Sequence, residues 1–175
     1  MILDLIDSKN SQLAEVSTEF DFNGKLNATE LFENLKETMI EHKGVGLSAI
    51  QCGIPVRVFV LGNWNEPDTV MSIFNPRIVD QSKEITVEEE GCLTFPGLYV
   101  KVKRHDWIRV RYTTHEGVTD TIKLGGMTAR IFQHEMDHLN GILYTRRANR
   151  YHLEQAQKQK KKLDKMRKRH SMEAA

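Results

Sequence analysis

The segment from His134 to His138 carries the residues best suited to chemistry. It reads His-Glu-Met-Asp-His, with the two histidines four positions apart. On a helix, side chains at i and i+4 lie on one face, so both imidazoles can bind one metal ion. Glu135 is offset by one residue and can reach a metal-bound water instead of the ion. The alternative is a helix that happens to carry two surface histidines.

Two histidines do not complete a catalytic site, because a catalytic divalent ion typically has three protein ligands and one open position. The downstream spacing continues as in the metzincin proteases, but Tyr144 stands where those enzymes have a third histidine. A zinc peptidase would therefore lack a ligand. Upstream, Cys92 ends a strand-like run and enters a turn rich in glycine and proline. Its thiolate is our candidate for the third ligand; a small buried apolar side chain is the alternative.

Three other polar residues could support such a site. Gln51 follows a glycine-rich loop, where its amide can donate a hydrogen bond to a developing oxyanion. An ordinary loop glutamine is the alternative. Metal-bound histidines need partners for their other ring nitrogens, and Glu90 and Asp137 are the candidates. For Asp137, a surface ion pair is an equally good interpretation.

The apolar pattern predicts the elements that must position these residues. Helices are predicted over about 27–43, about 127–139 and about 149–170, the last of them strongly charged. Residues 44–55 fit neither a strand nor a helix pattern. Strand-like runs are predicted near 56–61, 70–74, 84–90, 98–104, 106–113 and 119–124. Adjacent strands without helices between them favour an α+β fold with mostly antiparallel pairing.

Length and composition exclude several classes of protein. The 175 residues suit one domain, and 39% hydrophobic with 28% charged residues is unlike a disordered chain. No apolar run approaches the roughly 18 residues of a membrane-spanning helix. The N-terminus has acids where a signal peptide has bases. Two cysteines are too few for a disulfide framework, so we expect a cytoplasmic protein.

Charge is distributed unevenly along the chain. Residues 1–145 contain 14 Lys and Arg against 21 Asp and Glu, whereas residues 146–175 contain 11 against 3. An acidic body with a basic end indicates that this end meets a polyanion. A solvated helix whose charges only aid solubility is the alternative. We accordingly predict a catalytic domain over 1–145 and a basic helical extension over 146–175.

Three segments resemble the three motifs of the peptide deformylase family in composition, order and separation. They are GVGLSAIQ at 44–51, EGCLTFPG at 90–97 and QHEMDHLNG at 133–141. The resemblance implies mostly antiparallel strands packed around a central metal-binding helix, with a C-terminal helix added. It implies hydrolysis of the N-formyl group from the N-terminal formylmethionine of nascent polypeptides, with release of formate. Two positions depart from the usual motifs: Ser48 replaces an alanine and Thr94 replaces a serine.

The resemblance also implies a role for each of nine residues. The metal ligands would be Cys92, His134 and His138. Glu135 would be the general acid/base, and Gln51 with the backbone N–H of Leu93 would bind the oxyanion. The substrate would pair, as an added strand, with the backbones of Val45, Gly46 and Gly91. The ion would be Fe2+, which Zn2+, Ni2+ or Co2+ can replace, whereas the ligand chemistry alone favours zinc.

Two hypotheses of different classes follow. The first is a metal-dependent deformylase whose basic end docks near the ribosomal exit tunnel, as similar tails do in some bacterial deformylases. The second is a non-catalytic ribosome-associated protein with a structural metal, although a structural site needs neither Glu135 nor Gln51. For the first, we predict a monomer with no membrane or DNA partner. Its location would be the cytoplasm, or an organelle that initiates translation with formylmethionine.

Overall fold

A central helix, α2 (Gly126–Leu139), contacts strands of two separate antiparallel sheets. The coordinates are a computed structural model, and residues 1–173 are described. Three other helices are α1 (Ala28–Glu41), α3 (Tyr144–Arg147) and α4 (Arg150–Glu173). None of the helices in this range is long and apolar enough to cross a membrane.

The strands form one sheet of five and one of two. The larger sheet has the order β1-β2-β3-β6-β7 and contains β1 (Gly46–Ser48), β2 (Val58–Leu61), β3 (Met71–Gln81), β6 (Trp107–Thr113) and β7 (Thr119–Gly125). The smaller sheet pairs β4 (Ile85–Cys92) with β5 (Phe95–His105). Every strand pair is antiparallel. The predicted α+β fold is therefore confirmed.

The five-stranded sheet lies between two helices, and this fixes the orientation of α2. One apolar cluster packs α1 against β1 and β2. A second cluster packs Ala129, Phe132, Met136 and Leu139 of α2 against β2, β3 and β6. Burial of a side chain as large as Leu, Met or Phe stabilises a fold by about 1.5–3 kcal/mol. Because this apolar stripe faces the sheet, the residues on the other faces of α2 are available for chemistry.

Two details of the strands differ from the sequence prediction. Residues 44–55, which fit no pattern, contain β1 and a short 3-10 helix, Ala49–Cys52. Three residues are too few for alternation to be visible. The run predicted to end near residue 74 continues to Gln81, through Asn75 at φ 49° and Pro76. The register shifts between Phe74 and Arg77, and such a bulge tolerates proline within a strand.

The first part of α4 belongs to the core. Leu98, Val100 and Val102 on the inner face of β5 form a third cluster with Tyr144. Against it pack Ala148, Leu153 and Ala156. Beyond Gln157, no described residue of α4 joins a core cluster. Helix α4 therefore has a packed beginning and a solvent-exposed remainder; the chain's last two residues lie outside the described range.

Candidate active site

A cleft of about 660 Å³ lies between the β1 segment, the β4–β5 turn and α2. Eight of the nine residues implicated by the sequence line it: Val45, Gly46, Gln51, Gly91, Cys92, Leu93, His134 and Glu135. The ninth, His138, is buried beside Cys92. This volume suits a small ligand or a few peptide residues. A second surface cavity, near the start of α1, contains none of the nine.

Cys92, His134 and His138 converge at the bottom of this cleft. Their Sγ and ring-nitrogen atoms lie within 4.8 Å of one another, and this is the one such group of three in residues 1–173. The Cys92 Sγ is 3.3 Å from Nε2 of His138. Because Nδ1 of His134 is 3.0 Å from Glu90, Nε2 of that ring is the nitrogen left for a metal. One sulfur and two imidazole nitrogens fit a divalent transition-metal ion.

The surroundings of the two histidines shift their pKa values in opposite directions. Burial alone would lower the pKa of His134, but contacts with Cys92 and Glu90 and the nearby charge of Glu135 raise it to about 10. Burial and the positive charges of His134 and Arg104 hold the pKa of His138 well below its usual range. His138 is therefore a neutral imidazole at neutral pH, as a metal ligand must be. Its Nδ1 has no hydrogen-bond partner among the described residues.

Glu90 orients His134, as predicted, whereas Asp137 touches neither histidine. Burial raises the pKa of Glu90, but the Arg104 and His134 contacts outweigh it and lower the pKa to about 2. Asp137 is only 4% exposed, so a surface ion pair is also the wrong interpretation for it. It pairs instead with Arg104 and Arg147. Asp137 therefore contacts two arginines and none of the candidate metal ligands.

Glu135 is buried against β1, and one of its carboxylate oxygens is unpaired within residues 1–173. Its Oε2 has no hydrogen-bond partner in the described part of the chain, and burial raises the pKa of its carboxyl to about 7. A side chain at position 46 would place its Cβ 2.5 Å from Oε1 of Glu135. Only glycine at Gly46 therefore allows this close approach of β1 to the carboxylate. A general base needs such a free oxygen and a pKa near the working pH.

Gln51 is held in one orientation by its neighbours. The backbone N–H and the hydroxyl of Ser48 donate to its Oε1 at 2.9 and 2.8 Å. Its Nε2 therefore faces the other way, donating to Thr94 Oγ1 at 3.0 Å and lying 3.5 Å from Cys92 Sγ. The two positions that depart from the family's usual motifs, Ser48 and Thr94, are thus the two that hold this amide beside Cys92.

Sequence reasoning missed three arginines around the site. Arg104 and Arg130 are buried and both bind Glu90, and Arg147 binds Asp137. A signal for two of them was present. Arg104 continues the i, i+2 series of the inner face of β5, and Arg130 precedes His134 by one helical turn. Arg147 carries no comparable signal, because its partner is ten residues away on another helix.

The fold and site together define a metal-dependent hydrolase: a buried thiol-and-imidazole donor set lies beside a base and an amide donor. The model of the polypeptide deformylase family matches residues 2–154. A peptide deformylase of Thermotoga maritima is 42% identical over 130 residues, which cover 74% of this chain and 75% of that protein.

Solved structures agree with the family match. A Met-Ala-Ser-bound class I type b peptide deformylase of Acinetobacter baumannii superposes with a TM-score of 0.77 at 33% identity, over 84% of this chain and 98% of that one. A peptide deformylase of Synechococcus elongatus in complex with actinonin gives 0.81 at 31% identity, over 90% and 85%. This chain belongs to the polypeptide deformylase family. It is a metallohydrolase that removes the N-formyl group from the N-terminal formylmethionine of nascent polypeptides.

Proposed function

We propose that deformylation takes place at the Cys92, His134 and His138 group, with Glu135 and Gln51 as the catalytic side chains. One observation carries this assignment: the three donors lie within 4.8 Å of one another at the bottom of the cleft that Glu135 and Gln51 also line. A purely structural metal would have no use for the open carboxylate oxygen of Glu135 or for the fixed amide of Gln51.

The proton transfers fall to Glu135. A divalent ion, when bound, supplies Lewis acidity that polarises a carbonyl and acidifies water. The free Oε2 of Glu135 accepts the proton of the attacking water. The same carboxyl then donates that proton to the leaving amine nitrogen, so formate and the free N-terminus are produced. General acid–base help of this kind contributes roughly 10²–10⁴ in rate.

Negative charge on the formyl oxygen is stabilised by two donors. Nε2 of Gln51 is one, because Ser48 occupies the other end of the amide. The backbone N–H of Leu93, in the turn that lines the cleft, is the other. Because Ser48 fixes the Gln51 amide before the reaction, this donor needs little reorganisation when the charge develops.

The peptide lies along β1 as an added strand. β1 is the outermost strand of its sheet, and Val45, just before it, is 47% exposed at the cleft. We assign the substrate contacts to the backbones of Val45, Gly46 and Gly91, which all line the cleft. The similar Acinetobacter enzyme was crystallised with the peptide Met-Ala-Ser, which supports a methionyl peptide in the corresponding cleft.

We assign Fe2+ as the physiological ion, with Zn2+, Ni2+ or Co2+ as replacements. The donor set accepts all four, and the choice of iron depends on the family resemblance. The test is to load oxygen-protected protein with Fe2+ and measure formate released from formyl-Met-Ala-Ser. We expect turnover that a chelator abolishes and Fe2+ restores. A fully loaded, folded protein that releases no formate would exclude the assignment.

For the domain boundary, the sequence prediction places the catalytic domain at 1–145 and the basic extension at 146–175. Packing favours a later boundary. Leu153 and Ala156 pack against the third apolar cluster, on the inner face of β5, and the family match extends to residue 154. We therefore propose that the catalytic unit ends near Gln157, and that the basic extension begins at Lys158.

We propose that this extension docks on ribosomal RNA near the exit tunnel. Eight of the thirteen residues from Lys158 to His170 are Lys or Arg, and most of their side chains are exposed. The formylated substrate exists only on nascent chains, so docking would bring the cleft to it. Contacts to phosphates release counterions, which predicts a log–log salt slope of about −0.7 to −0.9 per phosphate.

Ribosome co-sedimentation of three proteins tests the docking. They are the full chain, a chain ending at Gln157, and a full-length chain in which Lys161, Lys162, Lys165 and Lys168 become glutamine. We expect salt-sensitive pelleting of the full chain alone, while all three hydrolyse a free formyl-tripeptide at similar rates. Equal pelleting of the truncated chain would show that the extension is only a solvated helix.

The remaining proposals concern assembly and location. We propose a monomer, because the cleft and all nine assigned residues come from one chain. We propose that it works in the cytoplasm, or in an organelle that starts translation with formylmethionine. The bacterial relatives support this assignment. Analytical ultracentrifugation and fractionation of the host cell test these two proposals.

A further inference from the structure

Arg147, the last residue of α3, reaches back to α2. Its Nε and Nη2 donate to Oδ2 and Oδ1 of Asp137 at 2.5 and 2.6 Å. Such a bidentate pair fixes both oxygens of a carboxylate. The side chain of Asp137 is 6% exposed and that of Arg147 is 44% exposed, so a partly exposed residue holds a buried one. Neither lines the active-site cleft.

From Asp137, buried contacts continue without a gap to a metal ligand. Nη1 of Arg104 donates to Oδ2 of Asp137 at 2.6 Å. Nε and Nη2 of Arg104 donate to the two oxygens of Glu90, each at 2.9 Å. Oε1 of Glu90 is 3.0 Å from Nδ1 of His134. Two carboxylates and the guanidinium group of Arg104 therefore connect Arg147 to the ring of His134.

Removing the Arg147 side chain would leave Asp137 a buried carboxylate with one remaining donor. A buried acceptor that loses its partner costs free energy unless it finds another. A cavity of about 220 Å³ lies beside Asp137, Arg104 and Arg147, which gives the released carboxylate room to turn. The contact between Asp137 and Nη1 of Arg104 would shift with it, and the hold of Arg104 on Glu90 would loosen.

We infer that Arg147 is a positioning residue for the metal ligand His134. It acts through Asp137, Arg104 and Glu90, and the inference rests on the ligand set proposed above. Direct orienting partners of metal-bound histidines are typically worth 10–100-fold in metal affinity. Because Arg147 reaches His134 only through three other residues, we expect its loss to weaken metal binding by about 3–10-fold.

Cobalt binding measures this effect directly. Full-length Arg147→Ala, Arg147→Lys and Arg146→Ala are titrated with Co2+ against a competing chelator. Arg146 is the matched control, because it lies in the same turn, is exposed and makes no ion pair with a described residue. We expect Arg147→Ala to bind Co2+ about 3–10-fold more weakly, with shifted visible bands. Arg147→Lys should recover part of the loss, since lysine keeps the positive charge but cannot make the bidentate contact with Asp137.

Kinetics and a double-mutant cycle separate positioning from simple destabilisation. At saturating metal, Arg147→Ala should lower kcat and leave KM unchanged, because Arg147 does not line the cleft. In Asp137→Asn protein, the same substitution should have little further effect on Co2+ affinity, as coupled residues are not additive. Additive effects, or an Arg147→Ala protein equal to Arg146→Ala in affinity and spectrum, would overturn the inference.

The same titration distinguishes this inference from the proposed ligand set. If wild-type protein fails to bind one Co2+ with a sulfur-to-cobalt band that Cys92→Ser abolishes, the ligand set itself is wrong. If that band is present and only the Arg147 comparison fails, the ligand set stands and Arg147 has no positioning role.

Discussion

Helices α2 and α4 both carry histidines and charged side chains, but the two helices place them in opposite surroundings. Ten of the 14 residues of α2 are buried, and Arg130 and Asp137 have fixed partners on other elements. No described residue of α4 is fully buried. Its ion pairs, Arg150–Glu154 and Lys160–Asp164, join residues four apart on its own surface.

The contrast teaches where each helix can act. A charge in the interior interacts strongly with particular neighbours, so its position matters to a fraction of an ångström. Exposed charges are screened, and they act together as a field that attracts a polyanion. The proposed chemistry therefore falls to α2, and the proposed docking falls to the exposed part of α4. Substitutions on the two helices should differ accordingly.

The largest effect is expected at Glu135. Glu135→Gln preserves the shape of the side chain and removes the base, so kcat should fall at least about 10²-fold while metal content is unchanged. Glu154→Gln on α4 is the matched control and should have normal turnover. Formate release at saturating substrate measures both variants. A Glu135→Gln protein with nearly wild-type kcat would remove the catalytic distinction between the helices.

A loss of stability is expected at Arg104, the arginine shared by Glu90 and Asp137. Arg104→Leu leaves two buried carboxylates with one donor group fewer each, which should lower the free energy of unfolding by about 3–5 kcal/mol. Lys103→Leu, on the exposed face of the same strand, is the control. Urea unfolding of metal-free protein gives both values. Equal midpoints for the two variants would contradict the importance of this buried pairing.

Gln51→Leu should reduce kcat by about 10²–10³, equivalent to 2.7–4 kcal/mol, because one oxyanion donor is lost. KM should change little, since we assign the peptide contacts to the backbones of Val45, Gly46 and Gly91 and not to Gln51. Circular dichroism checks that the buried Gln51 site still folds. A correctly folded variant with near-normal kcat would assign the oxyanion to other donors.

The smallest effect is expected on α4. Arg150→Gln breaks an exposed pair with Glu154 and should leave both the unfolding midpoint and the rate on a free tripeptide unchanged, because such pairs contribute little. Thermal unfolding and formate release provide the comparison. A clear loss of rate would mean that the beginning of α4 participates in catalysis.

Much of the site could be predicted because its residues carry strong local signals. The i, i+4 spacing of His134 and His138 and the apolar stripe of α2 identify a metal-binding helix without any knowledge of the fold. Cys92 could be added only by the need for a third ligand. Its convergence with the histidines depends on pairing across 42 residues of chain, which no local pattern encodes.

Other features have weak or no local signals. β1 is only three residues long and is stabilised by pairing with β2, so tertiary contacts determine it. For Asp137 the sequence favours an orienting partner of a histidine and a surface ion pair equally, since its partner Arg147 lies on the far side of a turn. Arg104 was predictable from strand alternation, but a charged residue on an inner face is easily taken for the end of the strand.

The most direct test is the metal content of Cys92→Ser and Cys52→Ala proteins after dialysis against a weak chelator. Cys52 belongs to no group of three metal-capable donors in residues 1–173, and burial together with nearby Asp4 raises the pKa of its thiol to about 12. We expect Cys52→Ala to keep one equivalent of metal and normal formate release, and Cys92→Ser to lose both. A Cys92→Ser protein that keeps a full equivalent and normal turnover would show that the metal is bound elsewhere.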